Sequence, residues 1–197
     1  LQQGVQHTIG RTAALRAGLP VTVAGMSMDR QCSSGLMTIA TAAKQVIVDR
    51  MDVVVAGGVE SISMVQTKET RVEPDPELVA MHKDIYMPML QTAEIVAQRY
   101  GISRERQDEY GLQSQQRTAA AQEAGKYENE IVPMDVKWAK TDKATGEVSI
   151  VDYTVKSDEC NRPQTTLEDL QKLQPVFKGG QQVKEGKYIT AGNASQF

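Results

Sequence analysis

Between residues 21 and 58 the sequence changes its hydrophobic period twice, and few folds accommodate that order. Val21-Thr22-Val23-Ala24 reads as a short strand, and a cluster of small residues, Cys32-Ser33-Ser34-Gly35, comes next. Leu36, Ile39, Ala40, Ala43, Val46 and Ile47 then recur at the spacing of a helix packing one face inward. Val53-Val54-Val55-Ala56 is an unbroken apolar run ended by Gly57-Gly58, the pattern of a strand covered on both faces in a parallel sheet. Strand, turn, helix, strand is a βαβ unit of right-handed connection, so the expected class is α/β. Upstream, residues 8–17 have helix-forming composition and stop at Gly18-Leu19-Pro20, a glycine cap followed by a proline that blocks continuation.

Near Ser63 the character shifts from apolar and glycine-rich to charged and irregular. The stretch from Lys68 to Glu77 carries two prolines and reads as a surface loop. Ala93, Val96, Ala97 and Tyr100 mark an amphipathic helix closed by Gly101. Ser103 is a suitable N-cap for a longer helix reaching about Ala124, with Glu105 in its first turn and Gly125 beyond its end. Two β-like runs follow, 131–136 and 148–155, with Pro133 making the first an edge strand at best. Their polar connection, 141–147, contains Gly146 and predicts a hairpin.

The 197 residues suffice for one or two domains with a real core, without disulfide or metal staples. Charged residues make up 24% and the net charge is -3, which argues against binding a nucleic-acid backbone. No apolar run approaches the roughly 20 residues of a membrane-spanning helix, so no membrane is expected. The first residue is Leu1 rather than Met, and both ends read as truncations. Two cysteines, Cys32 and Cys160, are too few for a disulfide framework, so a reducing compartment is expected: the cytoplasm, with an organellar matrix as the alternative. With only His7 and His82 as histidines, no histidine-rich metal site is expected.

Cys32 falls between a strand and the first turn of a strong helix, where unpaired backbone N–H groups and the helix dipole favour a thiolate. Its small neighbours leave room for a carbonyl and free donors for a developing oxyanion. Local pattern alone leaves two readings open, a nucleophile or a small buried hydrophobe.

Asp29-Arg30-Gln31-Cys32-Ser33-Ser34-Gly35-Leu36, followed by Ala56-Gly57-Gly58-Val59-Glu60-Ser61-Ile62-Ser63, resembles the two best-known signatures of the thiolases. The similarity continues through Thr92-Ala93-Glu94, Gly101-Ile102-Ser103-Arg104, Gln107-Asp108-Glu109 and Thr190-Ala191-Gly192-Asn193-Ala194-Ser195. The resemblance implies a layered αβαβα core with an inserted, mostly helical loop domain. Residues 1–62 would be part of the N-terminal core half, 63–187 the CoA-binding insertion, and 188–197 the return to the core. The second half of that core would lie outside this sequence.

What the resemblance implies for function is cleavage of 3-ketoacyl-CoA, or the reverse condensation, through an acyl group held on Cys32. Coenzyme A would be substrate and product, with no permanently bound cofactor and no metal. Arg162 would meet the nucleotide end of CoA, Ser195 the pantetheine arm, Ala191 the same tunnel, and Met89 the thioester end. Pro88 stands where some acetoacetyl-CoA-type relatives have a histidine, which speaks against short-chain biosynthesis. The family's base, in a Gly-His-Pro motif, and its second cysteine, in a glycine-rich motif, have no counterpart here, so the chain alone is not expected to turn over. His7, His82 and Cys160 lie outside matching motifs and are expected to be bystanders. A homodimer or tetramer is expected for the longer protein. The alternatives are a non-catalytic CoA-binding or assembly module, and a ketoacyl-synthase-like decarboxylating condensation.

Overall fold

The computed structural model describes residues 8–65 and 73–194. The chain divides into two compact units, Leu1–Ala80 and Met81–Phe197. In the first unit α1 (Ile9–Arg16) ends as its Gly-Leu-Pro sequence dictates, with Gly18 at φ 83 and the Leu19 N–H donating to the Ala14 oxygen over 3.1 Å. The expected strand at Val21–Ala24 does not form. Val23 N–H instead turns back to the Pro20 oxygen, and the Arg11 guanidinium takes the carbonyl oxygens of Val21, over 2.9 Å, and Val23. Backbone acceptors engaged by a side chain in this way are lost to a sheet ladder.

A 3-10 turn at Gln31–Ser33 leads into α2 (Ser34–Ile47), whose bounds agree with its apolar period. The expectation that α2 packs one face inward is not met: Leu36 and Ile47 are exposed, and no described residue of the first unit is buried. Val53–Ala56 has no strand pairing among the described residues, and Val53 and Val55 are 83% and 90% exposed. An apolar stripe or run is buried only by a second layer, and the described residues of this unit supply none. The unit continues through α3 (Ile62–Val65) to α4 (Pro76–Met81). Of the loop expected from Lys68 to Glu77, residues 68–72 lie outside the described residues. Its end is helical because Pro76 opens α4, with Asp75 accepting from the N–H groups of Glu77 and Leu78.

The second unit opens with α5 (Met89–Tyr100), stopped by Gly101 in the left-handed region at φ 62. Ser103 caps α6 (Arg104–Glu123) by accepting from the Arg106 N–H over 3.2 Å. Backbone and Ser103 hydrogen bonds hold the Glu105 carboxyl below the ordinary range in that first turn. β1 (Met134–Thr141) and β2 (Val148–Val155) pair antiparallel, Met134 opposite Val155 and Thr141 opposite Val148. β1 starts after Pro133 rather than at Ile131, as a residue without an N–H cannot join the ladder. A short α7 (Leu167–Lys172), which periodicity does not reveal, is capped by Thr166, whose hydroxyl accepts from Asp169 N–H.

The core of this unit is as polar as it is apolar. Ala97, Leu170, Phe177 and Ile189 are buried together with Gln91, Glu94, Asp108 and Thr190. The buried face of α5 is therefore Gln91, Glu94 and Ala97, rotated from the expected Val96 and Tyr100, which are exposed. The cause is the irregular segment 177–194, whose backbone N–H groups need acceptors wherever they leave water.

Candidate active site

Cys32 lies on a bend that its neighbours lock. Asp29 Oδ1 accepts from the Gln31 N–H over 2.7 Å, and Ser34 Oγ accepts from the Arg30 N–H over 2.8 Å while donating to the Gln31 oxygen. Ser33 Oγ donates to the Arg30 oxygen over 2.9 Å. Together these bonds hold Gln31 at φ 53, in the left-handed region that a residue with a Cβ seldom adopts. The thiol one residue later is exposed and has no hydrogen-bond partner among the described residues, so Cys32 is not packed as a small hydrophobe. Ser33 and Ser34, expected only to leave space, prove to be the fasteners of the bend. Ser33 gives the first turn of α2 no side-chain cap.

The other candidates belong to the second unit. Met89 is the first residue of α5 and stands 77% exposed. Arg162 is exposed in the loop before α7, and among the described residues its guanidinium has no ion-pair or hydrogen-bond partner. Its backbone is nevertheless held, the N–H donating to Gln115 Oε1 over 2.8 Å and the oxygen accepting from Thr165. Beside it, Asn161 Nδ2 donates to Gln122 Oε1 over 2.9 Å. Ala191 is exposed on a turn directly after the fully buried Thr190. His7 and Ser195 lie outside the described residues. Cys160 is a free, exposed cysteine. Among the described residues no group of three or more His, Cys, Asp or Glu side chains could hold a metal ion.

Sequence reasoning missed the residues that fix the Ala191 turn. Glu94 accepts from the N–H groups of Lys187, Tyr188 and Ile189, the last over 2.8 Å, and Gln91 Oε1 accepts from those of Gln182 and Val183. Asn193 Oδ1 accepts from Thr190 N–H, and its Nδ2 donates to the Tyr188 oxygen and to Asp108 Oδ1. Arg104 balances the buried charge of Asp108, with Nε 2.9 and 2.8 Å from the two carboxylate oxygens. Gly111 and Gly192 allow the close approach: a Cβ on Gly111 would come 3.1 Å from the Gly192 oxygen. The available signal was spacing, since Gln91, Glu94 and Ala97 recur every third residue on one helix face.

The profile of the family described as "Thiolase, N-terminal domain" matches residues 1–197. The chain belongs to the thiolase family. Among relatives, it is 37% identical over 195 residues to "3-ketoacyl-CoA thiolase" of Bacillus subtilis (strain 168), covering 99% of this chain and 48% of that protein. It is 41% identical over 187 residues to "3-ketoacyl-CoA thiolase 2, peroxisomal" of Arabidopsis thaliana, covering 94% and 38% respectively. The crystal structure of human mitochondrial 3-ketoacyl-CoA thiolase in complex with CoA superposes with a TM-score of 0.71 at 35% identity, over 94% of this chain and 45% of that one. This thiolase chain thus has the family's α/β fold and spans less than half the length of these relatives. Among its described residues no helix is long and apolar enough to cross a membrane.

Proposed function

We propose that this chain is the nucleophile-bearing and CoA-contacting part of an acyl-CoA C-acyltransferase. The Cys32 thiolate adds to the 3-keto carbon of a 3-ketoacyl-CoA, and the bond between carbons 2 and 3 breaks. Its electron pair stays on carbon 2, which takes a proton and leaves as acetyl-CoA. The acyl group, now a thioester on Cys32, passes to the thiol of a second CoA, and the reverse sequence is the condensation. Cys32 is the catalytic residue in this reading, and Arg162, Ala191, Ser195 and Met89 are the CoA contacts. Residues 1–62 serve as core, 63–187 as the insertion and 188–197 as the return to the core. Coenzyme A comes and goes as substrate and product.

The observation that carries the reading is the locked bend at Gln31, which presents an exposed thiol at the start of α2 in a chain of this family. Exposed Leu36, Ile39, Val53 and Val55 support burial against further protein, consistent with a dimer or tetramer of the longer protein. A reducing compartment, cytoplasmic or within an organelle, suits an enzyme that works through a free thiol. The test is to incubate the chain with acetyl-CoA, quench in acid and map the mass increase. An acetyl group on Cys32 and none on Cys160 is expected, without sustained turnover, because the family's histidine and second-cysteine motifs do not occur in these 197 residues. Equal labelling of both cysteines, or label on Cys160 alone, sinks the assignment.

A further inference from the structure

Asp108, Gln115 and Gln122 stand seven residues apart on α6. Seven residues is nearly two helical turns, so the three share one face and are spaced by about 10 Å along the axis. Each fastens irregular chain through a hydrogen bond of 2.8 or 2.9 Å: Gln122 to Asn161, Gln115 to the Arg162 N–H, and Asp108 to Asn193 in the Ala191 turn. A second brace closes the span. Arg104, paired with Asp108, also donates to the oxygens of Leu170 and Leu173 at the end of α7, which joins the two fastened segments. Gly111, between the first two members of the row, is where the turn at Gly192 comes nearest to α6.

We propose that this row is a ruler: Asp108, Gln115 and Gln122 are positioning residues that set the separation between Arg162 and Ala191. The proposal rests on the CoA-binding reading of those two residues and says what that site selects. Two contacts anchored roughly two turns apart on one rigid helix favour an elongated ligand, with an anionic end that meets Arg162 and an extended arm at the other. The arm passes the Ala191 turn, and neither contact can slide toward the other to accept a shorter molecule. The row itself touches no ligand; it acts through the backbone of Arg162 and the side chains of Asn161 and Asn193.

Calorimetric titration of the 197-residue chain with CoA, with adenosine bisphosphate and with pantetheine tests this. Gln115→Ala removes one backbone tether of Arg162, so CoA and adenosine bisphosphate are expected to bind about two- to tenfold more weakly while pantetheine is unchanged. A merely structural role for Gln115 would lower the melting temperature and weaken both halves alike. Equal loss for both halves, or no loss for either, overturns the ruler and leaves the CoA reading standing. Failure of the unaltered chain to bind CoA overturns the CoA reading, and the ruler with it.

Discussion

Replacing Glu94 by alanine is expected to destabilise the second unit severely. Its carboxylate accepts from three consecutive backbone N–H groups, those of Lys187, Tyr188 and Ile189. A buried donor left without a partner costs about 1–3 kcal/mol. Ile189 is buried and accounts for about 2 kcal/mol, while Lys187 is exposed and Tyr188 half-buried, so each accounts for about 1 kcal/mol. The sum is about 4 kcal/mol, a large share of the roughly 5–15 kcal/mol that holds a domain folded. With a slope of about 2 kcal/mol per molar, the urea midpoint should fall by about 2 M. Glu94→Gln keeps one acceptor oxygen but turns an amide NH2 toward donors, so its loss should be about half as large. Urea unfolding followed by circular dichroism gives both numbers. An alanine variant within about 1 kcal/mol of the unaltered chain would refute the claim that these bonds hold the segment.

Three further changes probe other parts of the structure. Gly192→Ala drives a Cβ into the Leu170 and Leu173 side chains and should lower stability by about 1–3 kcal/mol, read from the melting temperature. Asp142 accepts from the N–H groups of Ala144 and Thr145 in the hairpin turn, and these bonds hold its carboxyl below the ordinary aspartate range. A depressed folded value means its contribution is complete above the ordinary value, about pH 4, and fades as pH falls through the lower folded one. Exchange of the Ala144 and Thr145 amides should therefore lose protection in acid, and Asp142→Asn should remove that pH dependence. Gln31→Val puts a β-branched residue into the left-handed bend at a local cost of about 1–2 kcal/mol, so acylation of Cys32 by acetyl-CoA should slow by about tenfold.

Sequence disclosed what short-range chemistry decides. Gly101, Ser103 and Gly125 bracket α5 and α6 because caps depend on residues three or four positions away. The polar linker with Gly146 specified the hairpin for the same reason. Val21–Ala24 and Val53–Ala56 failed as strands because pairing is decided by a distant partner, and at Val21 the partner is the guanidinium of Arg11. α7 was missed although Thr166 and Asp169 form a capping pair, since six residues are too few to display a period. The turn of small residues around Cys32 was legible as the entry to α2, whereas the burial of Gln91, Glu94 and Asp108 was not: a polar helix residue reads as solvated until its burial is seen. What those residues bind is backbone, which carries no signature in sequence.

The clasp on segment 182–189 also sets an order of events during synthesis. Glu94 and Ile189 are 95 residues apart, so at about 5–20 residues per second the carboxylate waits roughly 5–20 s for its donors. Until then α5 presents Gln91 and Glu94 to water, where both are well hydrated, and so the nascent helix shows a polar face rather than a greasy one. A core closed by apolar side chains alone would expose sticky surface over the same interval. Building it from a carboxylate and an amide keeps that face of α5 hydrated until segment 182–189 arrives.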